Sequence, residues 1–344
     1  MIKVGIINVT GYAGAELARI LHGHPDVEIA SVTGRSAAGQ RLAEVFPHLS
    51  DLDLVIEPDL GCSVDLAFSA LPHKASAERV IPLLEDGVKV VDISADFRLK
   101  DVGEFESWYK VEHPGPRYLE EAVYGLTELH RREVARARLV ANPGCFPTSA
   151  ILAMAPAVRE GIIEPDIIID AKTGVSGAGR GMSMSTHFSE VNENLIPYSV
   201  QGHRHLPEIV QELGGLASKA QTVTFITHLA PMTRGIFSTC YAMLKDGAFG
   251  SPEQAQRAVA DLYGEFYRGE AFVKVCGSPP QTKQTWGSNV CLVYPTVDVR
   301  TGRLVVFSCL DNLVKGAAGQ AVQNMNLMLG MSETTALEAL AIYP

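Results

Sequence analysis

The sequence lacks the marks of a membrane protein, a nucleic-acid-binding protein or a disulfide-stapled one. No apolar run reaches the roughly 18 residues of a membrane span. Basic residues are outnumbered, 29 Lys and Arg against 39 Asp and Glu, for a net charge of −10. That excludes a general nucleic-acid or anionic-membrane surface and leaves room only for a local basic pocket. The six cysteines, Cys62, Cys145, Cys240, Cys276, Cys291 and Cys309, contain no Cys-x-x-Cys pair. A chain this long buries about three quarters of its unfolded surface and needs no staples. Reduced thiols and a cytoplasmic location are therefore expected. There is no internal repeat and no low-complexity linker. The opening MIKVGIINVT reads as a first strand running into a glycine turn, not as a signal peptide. What remains is 47% hydrophobic and 20% charged, ordinary for a globular protein of about two domains.

The first 140 or so residues alternate strand and helix. Strands are expected at 3–7, 27–32, 64–69, 89–93 and 139–141, and helices at 14–22, 73–86 and 128–136. Short apolar strands between amphipathic helices imply a parallel, doubly wound sheet. Beyond residue 150 the strands lengthen, at 166–173, 222–229, 236–244, 289–299 and 304–310. Few helices intervene, so this half is expected to be a mostly antiparallel α+β domain. Ser251, Pro252 and Gln254 announce a helix over 252–267. A long helix is expected at 313–329.

After the first strand comes Asn8-Val9-Thr10-Gly11-Tyr12-Ala13-Gly14. A glycine-rich turn between a first strand and a helix cradles a pyrophosphate on backbone amides and the helix dipole. Asn8 stands where the first glycine is usual; Asn tolerates positive φ, so the turn survives. A site for NAD would carry Asp or Glu about 20 residues on. This chain has Thr33-Gly34-Arg35-Ser36 there. A guanidinium and a hydroxyl suit a 2′-phosphate, which favours NADP.

In Asn142-Pro143-Gly144-Cys145-Phe146-Pro147-Thr148 a strand ends in a rigid turn and a helix follows over 148–158. Cys145 is thereby placed at a helix N-terminus, where exposed amides favour thiolate over thiol. Cys240, Cys291 and Cys309 lie in apolar strand patterns and read as core. A thiolate beside a nicotinamide points to attack on an activated acyl carbon, followed by hydride reduction of the thioester. Gly202-His203-Arg204-His205-Leu206-Pro207-Glu208 offers two imidazoles and a guanidinium just before a helix. Histidine suits the proton transfer and arginine an anionic substrate group. No Cys/His/carboxylate cluster completes a metal site around the two histidines.

Several separated motifs together resemble the N-acetyl-γ-glutamyl-phosphate reductase family. They are Gly11-Tyr-Ala-Gly-Ala-Glu-Leu17, Ser69-Ala-Leu-Pro-His73, Asp92-Ile-Ser-Ala-Asp-Phe-Arg98 and Tyr124-Gly-Leu126. Then follow the turn at Cys145, Gly174-Val-Ser-Gly-Ala-Gly-Arg180, residues 187–194, Gly202-His-Arg-His205 and Gly287-Ser-Asn-Val-Cys291. The resemblance implies a Rossmann-like NADP domain over 1–144 with 313–344, and an α+β substrate and oligomerisation domain over 145–312. It implies Cys145 as nucleophile and His203 or His205 as acid/base. Cofactor contacts would be Thr10, Gly11, Tyr12, Ala13, Gly14, Arg35, Ser36, Ser69, Ala70, Leu71 and Pro72, with Ser176, Gly177, Ala178 and Asn289 nearer the nicotinamide. Arg98, Asn142, Arg180, Arg204 and Glu208 are candidate substrate contacts, and a homo-oligomer, dimer or tetramer, is implied. The expected reaction is NADPH-dependent reductive dephosphorylation of N-acetyl-γ-glutamyl phosphate to the semialdehyde. Related reductases of carrier-bound aminoadipyl phosphate or of aspartyl phosphate are the alternatives, and a non-catalytic NADP sensor is a remote one. Asn8, and Phe146 where tyrosine is common, depart from the family pattern.

Overall fold

A computed structural model describes residues 1–344, the side chains of residues 252 and 253 excepted. The chain divides into two compact units, residues 1–144 with 317–339 and residues 145–316 with 340–344. The return to the first unit comes at Ala317 rather than Leu313, and the last few residues stay with the second. Their anchor is the Ile342 amide, which donates to the Trp286 carbonyl at 2.9 Å.

The first unit is built on β1 (Ile2–Ile7), β2 (Val27–Thr33), β3 (Ile56–Glu57), β4 (Leu66–Ser69), β5 (Lys89–Asp92), β6 (Val123–Tyr124) and β7 (Leu139–Ala141). They pair in the order β3-β2-β1-β4-β5-β7-β6, every pairing parallel. A parallel sheet is covered on both faces; accordingly Val4, Ile6, Leu66, Phe68, Val90 and Val91 are fully buried. The two-residue strands β3 and β6 carry too little pattern to be seen in the sequence. The helix expected from residue 73 begins only at Ala77 and runs Ala77–Glu85. Residues 74–77 wrap the Asp96 carboxylate instead, which accepts from the amides of Lys74 (2.7 Å), Ser76 (3.1 Å) and Ala77 (3.0 Å).

The second unit holds β8 (Ile163–Thr173), β9 (Ile196–Tyr198), β10 (Thr222–Leu229), β11 (Ile236–Leu244), β12 (Val273–Val275), β13 (Cys291–Asp298) and β14 (Arg303–Leu310). Their order is β12-β13-β14-β11-β8-β10-β9, antiparallel except for β12/β13 and β8/β10. Helices Cys145–Arg159, Leu206–Leu216 and Pro252–Phe266 pack on this sheet. The last is capped by Ser251, whose Oγ accepts from the Gln254 amide at 3.3 Å. Helix Cys145–Arg159 starts at Cys145 itself, three residues earlier than expected from Pro147. Proline in a first turn gives up an amide that has no intrahelical partner, so it does not delay the helix.

The expected single helix over 313–329 is two structures. A π turn, Val314–Ala318, comes first and helix Gly319–Met328 follows. The turn is wider because the Gly316 amide donates to the Asp311 carbonyl, five residues back, at 2.9 Å. Helix Gly319–Met328 packs on helices Tyr12–His22 and Thr127–Val134 of the first unit.

Candidate active site

In the first unit, Asn8 follows β1 at φ +68°, the left-handed conformation its place in the turn requires. Its Nδ2 donates to the Ala70 carbonyl at 2.8 Å, and its Oδ1 accepts from Thr10 Oγ1 at 3.3 Å. The side chain thus ties the turn to the end of β4, which a glycine could not do. Gly14 is fixed by space. A Cβ there would lie 2.4 Å from the Asn8 carbonyl oxygen and 2.7 Å from Val9 Cα. Gly11 caps helix Tyr12–His22, so Tyr12, Ala13 and Gly14 lie in the first turn, where amides lack intrahelical partners.

A cleft of about 470 Å³ adjoins this turn, lined by Asn8, Thr33, Arg35, Ser36, Leu71 and Arg79 among others. Arg35 and Ser36 are exposed at its rim. Arg79 was not expected; it forms an ion pair with Asp59, also in the cleft, at 2.9 Å. No spacing rule links residue 79 to the glycine turn, so only the folded helix brings it there. The turn fits a pyrophosphate and the Arg35–Ser36 rim fits a 2′-phosphate.

Ser69 ends β4 and Ala70 and Pro72 follow it; these three, like Thr10, Gly11, Tyr12, Ala13 and Gly14 of the turn, do not line the cleft. Ser69 is buried, its Oγ 2.6 Å from Ser76 Oγ, which donates to Asp92 Oδ1 at 2.6 Å. Ser94 Oγ donates to Asp92 Oδ2 at 2.6 Å. Burial pushes the Asp92 carboxyl up to about 6, and the Asp96 charge adds to this; the serine hydrogen bonds oppose it.

Two expected substrate contacts are buried and hydrogen-bonded within the first unit. Arg98 is buried, with Nε donating to the Asn142 carbonyl at 2.8 Å and Nη2 to the Ile93 carbonyl at 2.7 Å. Asn142 is also buried. Its Nδ2 donates to the Ala317 carbonyl at 3.2 Å, and its Oδ1 accepts from Asn324 Nδ2 at 3.0 Å. Both side chains hold the turn that leads into Cys145, and neither presents its polar group to solvent.

In the second unit Cys145 is partly exposed, the first residue of helix Cys145–Arg159. Cys240, Cys291 and Cys309 are buried, and burial pushes the Cys240 and Cys309 thiols well up. Cys145 is the one at a helix mouth. The residue after it, Phe146, is buried with its ring 5.6 Å from that of His203 and 6.1 Å from that of His205. His203 lies among Phe225 (5.5 Å), Tyr198 (5.6 Å) and His205 (4.8 Å), ring to ring. Burial, with the neighbouring Arg204 charge, holds its imidazole down at about 4. His203 Nδ1 accepts from the His205 amide at 3.1 Å, which assigns the proton of the neutral ring to Nε2. Burial and the charge of a Cys145 thiolate push the Tyr198 hydroxyl up. Tyr198 sits on the three-residue strand β9, too short to leave a pattern in the sequence.

The remaining candidates differ in exposure. Glu208 is buried in the first turn of helix Leu206–Leu216, and Arg204 is exposed just before it. Arg180, Gly177 and Ala178 are exposed. Ser176 is buried and accepts from Asn312 Nδ2 at 3.0 Å; Asn289 is buried too.

Residues 3–137 match the family described as semialdehyde dehydrogenase, NAD binding domain, and residues 145–312 match semialdehyde dehydrogenase, dimerisation domain. The chain is 57% identical to N-acetyl-gamma-glutamyl-phosphate reductase of Dehalococcoides mccartyi, covering 99% of both chains. It is 50% identical to the enzyme of that name from Pelotomaculum thermopropionicum, over 100% of this chain and 99% of the other. In fold it is similar to the aspartate semialdehyde dehydrogenase II of Vibrio cholerae complexed with ASA, at TM-score 0.73 and 16% identity over 96% of this chain and 98% of that one. It is similar also to the aspartate semialdehyde dehydrogenase with NADP from Candida albicans, at TM-score 0.70 and 16% identity over 96% and 98%. The full-length match in sequence decides among these relatives: the chain belongs to the N-acetyl-gamma-glutamyl-phosphate reductase family.

Proposed function

We propose that this chain is an NADPH-dependent reductase of N-acetyl-γ-glutamyl phosphate, working through a Cys145 thioester. The observation that carries the mechanism is the partly exposed Cys145 at the first residue of a helix, while Cys240, Cys291 and Cys309 are buried in strands. Amides of the helix start favour the thiolate. It attacks the γ-acyl carbon; the C–S bond forms, the C–O bond to phosphate breaks, and inorganic phosphate leaves. The Gly11–Gly14 turn would hold NADPH, with Arg35 and Ser36 toward its 2′-phosphate, and the bound cofactor would supply the hydride. The neutral His203 donates a hydrogen bond from Nε2 to the acyl oxygen as that oxygen gains charge, its proton staying on the ring, and His205 is the second imidazole of the pair. Amides at the helix start add further oxyanion donors. The C–S bond then breaks, releasing the semialdehyde and regenerating the thiolate. Arg180 and Arg204, both exposed, are the cations left to receive the substrate's anionic groups once Arg98 is assigned to the turn.

The chain acts as a cytoplasmic homo-oligomer in this reading. All six cysteines are thiols rather than half-cystines, in keeping with a reducing compartment. The sheet face opposite helix Cys145–Arg159 carries Ile168, Tyr241, Phe237, Phe307 and Tyr294, all at least partly exposed. Rings stack across it, Tyr294 to Phe307 at 6.2 Å. A second copy would bury these aromatic and aliphatic side chains together with the Lys172–Asp170–His228 cluster on the same face, and sedimentation would find at least a dimer.

The assay runs the reaction backwards, with N-acetylglutamate semialdehyde, inorganic phosphate and NADP. NADPH formation that requires phosphate supports the reading. Turnover confined to aspartate semialdehyde, or to a carrier-bound aminoadipate semialdehyde, would transfer the enzyme to those substrates.

A further inference from the structure

We infer that Gly316 is a positioning residue for the Cys145 thiol, and that the π turn at Val314–Ala318 exists to place it there. Gly316 is not in the left-handed region, so its backbone conformation does not demand glycine. Space does. A Cβ on Gly316 would lie 2.8 Å from Cys145 Cβ, 3.2 Å from Leu310 Cδ1 and 3.3 Å from the Asp311 carbonyl oxygen. The first of these is one bond from the backbone of a helix and cannot swing aside as the tip of a long side chain could. The backbone of residue 316 is thus the floor on which the nucleophile's Cβ rests.

The floor is itself held. Asp311 is fully buried. Its carbonyl accepts from the amides of Val314 (3.3 Å) and Gly316 (2.9 Å). Its Oδ1 accepts from the Leu313 amide at 2.8 Å, and its Oδ2 from the Gly287 amide at 2.8 Å and Arg234 Nη1 at 3.3 Å. Next to it Asn312 Oδ1 accepts from the Gly235 amide at 2.8 Å, and its Nδ2 donates to Ser176 Oγ at 3.0 Å. One buried Asp-Asn corner therefore sets both the support under Cys145 and the loops carrying Ser176 and Arg234. Insertion of one residue into a helical turn, a frequent device at functional sites, brings the Gly316 amide onto the Asp311 carbonyl and its bare Cα against the thiol-bearing residue.

The inference rests on Cys145 being the nucleophile. Gly316→Ala is expected to lower kcat by about 10–100-fold, the effect of displacing a reacting atom by a fraction of an ångström to one ångström. KM for the acyl phosphate and NADP affinity, read by fluorescence, should stay within about threefold. The pH profile of Cys145 alkylation by iodoacetamide should shift. The contact itself is read by thermal unfolding. Gly316→Ala should destabilise the wild type and cost much less in a Cys145→Gly background, where the obstructing Cβ is gone. If Gly316→Ala alone fails to fold, folding restored by adding Cys145→Gly supports the contact, and no restoration overturns it. An unchanged kcat with a superimposable alkylation profile, or an equal cost in both backgrounds, also overturns it. Activity retained by Cys145→Ala would remove the nucleophile reading itself. An inactive Cys145→Ala beside a fully active Gly316→Ala removes this inference alone.

Discussion

The two units build their sites by different means. In the first unit the nucleotide-binding features come mainly from the strand ends and first turns of one parallel sheet, and they are largely contiguous in sequence: residues 8–14 and then 33–36. In the second the features come from residues 145, 198–205 and 311–316, far apart in the chain and brought together by the mixed sheet and the helix packed on it. Backbone does most of the work in the first, since Gly14 and the start of helix Tyr12–His22 act through amides and space. Side chains do it in the second, where an imidazole sits among aromatic rings. Yet both units share one device. Each holds an ionisable group, fully buried Asp92 and half-buried His203, toward its uncharged form, at about 6 and about 4, because burial penalises charge of either sign.

The sharpest break between the units is Cys145→Ala. Turnover should fall by about 10⁴-fold or more, while NADPH affinity, carried by the first unit, stays within about twofold in a fluorescence titration. Substantial residual turnover would merge the two roles and refute the division. His203→Asn should cost about 10²–10⁴-fold in kcat, again with NADPH affinity preserved. Arg35→Ala is the converse experiment. NADP should bind about 10–100-fold more weakly for the loss of charge-assisted bonds to its 2′-phosphate, NAD should change little, and saturating NADPH should restore kcat. An equal loss for both nucleotides would detach Arg35 from the 2′-phosphate.

The smallest effect is on stability, and its sign differs between the units. The Asp92 carboxyl is raised on folding, from 3.8 to about 6. The unfolded chain therefore loses its proton first, and stability falls as pH rises from about 4 to 6. The His203 imidazole is lowered on folding, from 6.5 to about 4. The unfolded chain therefore gains a proton first, and stability falls as pH drops from about 6.5 to 4. Urea unfolding of Asp92→Asn and His203→Asn across this window should give difference curves of opposite slope, each roughly 1 kcal/mol per pH unit. Slopes of the same sign would show that burial does not govern both groups.

The legibility of the sequence followed the same division. The conformation of the glycine turn and the place of Arg35 and Ser36 beside it could be read because a turn between a strand and a helix is a local structure with local requirements. Asn8 at positive φ belongs to the same class. Cys145 was legible because Asn142-Pro143-Gly144 ends a strand, although Pro147 misplaced the helix start. The burial of Arg98 and Asn142 and their bonds to backbone carbonyls were not legible, because a polar side chain in a motif looks the same whether it serves a substrate or a backbone carbonyl. Arg79 and Tyr198 were missed because helix and strand packing alone bring them to their sites. The helix over 313–329 hid a π turn, since the bond that widens it runs to a carbonyl and leaves no side-chain signature.

By itself the sequence determined the parallel and mostly antiparallel halves, the nucleotide turn, and the cysteine at a helix mouth, because each is a pattern of neighbours along the chain. Only the tertiary structure decided which arginines brace and which face solvent, how far burial moves Asp92 and His203, and why residue 316 carries no side chain. Those outcomes depend on what the fold brings within a few ångströms from dozens or more than a hundred residues away, and no local pattern encodes that distance.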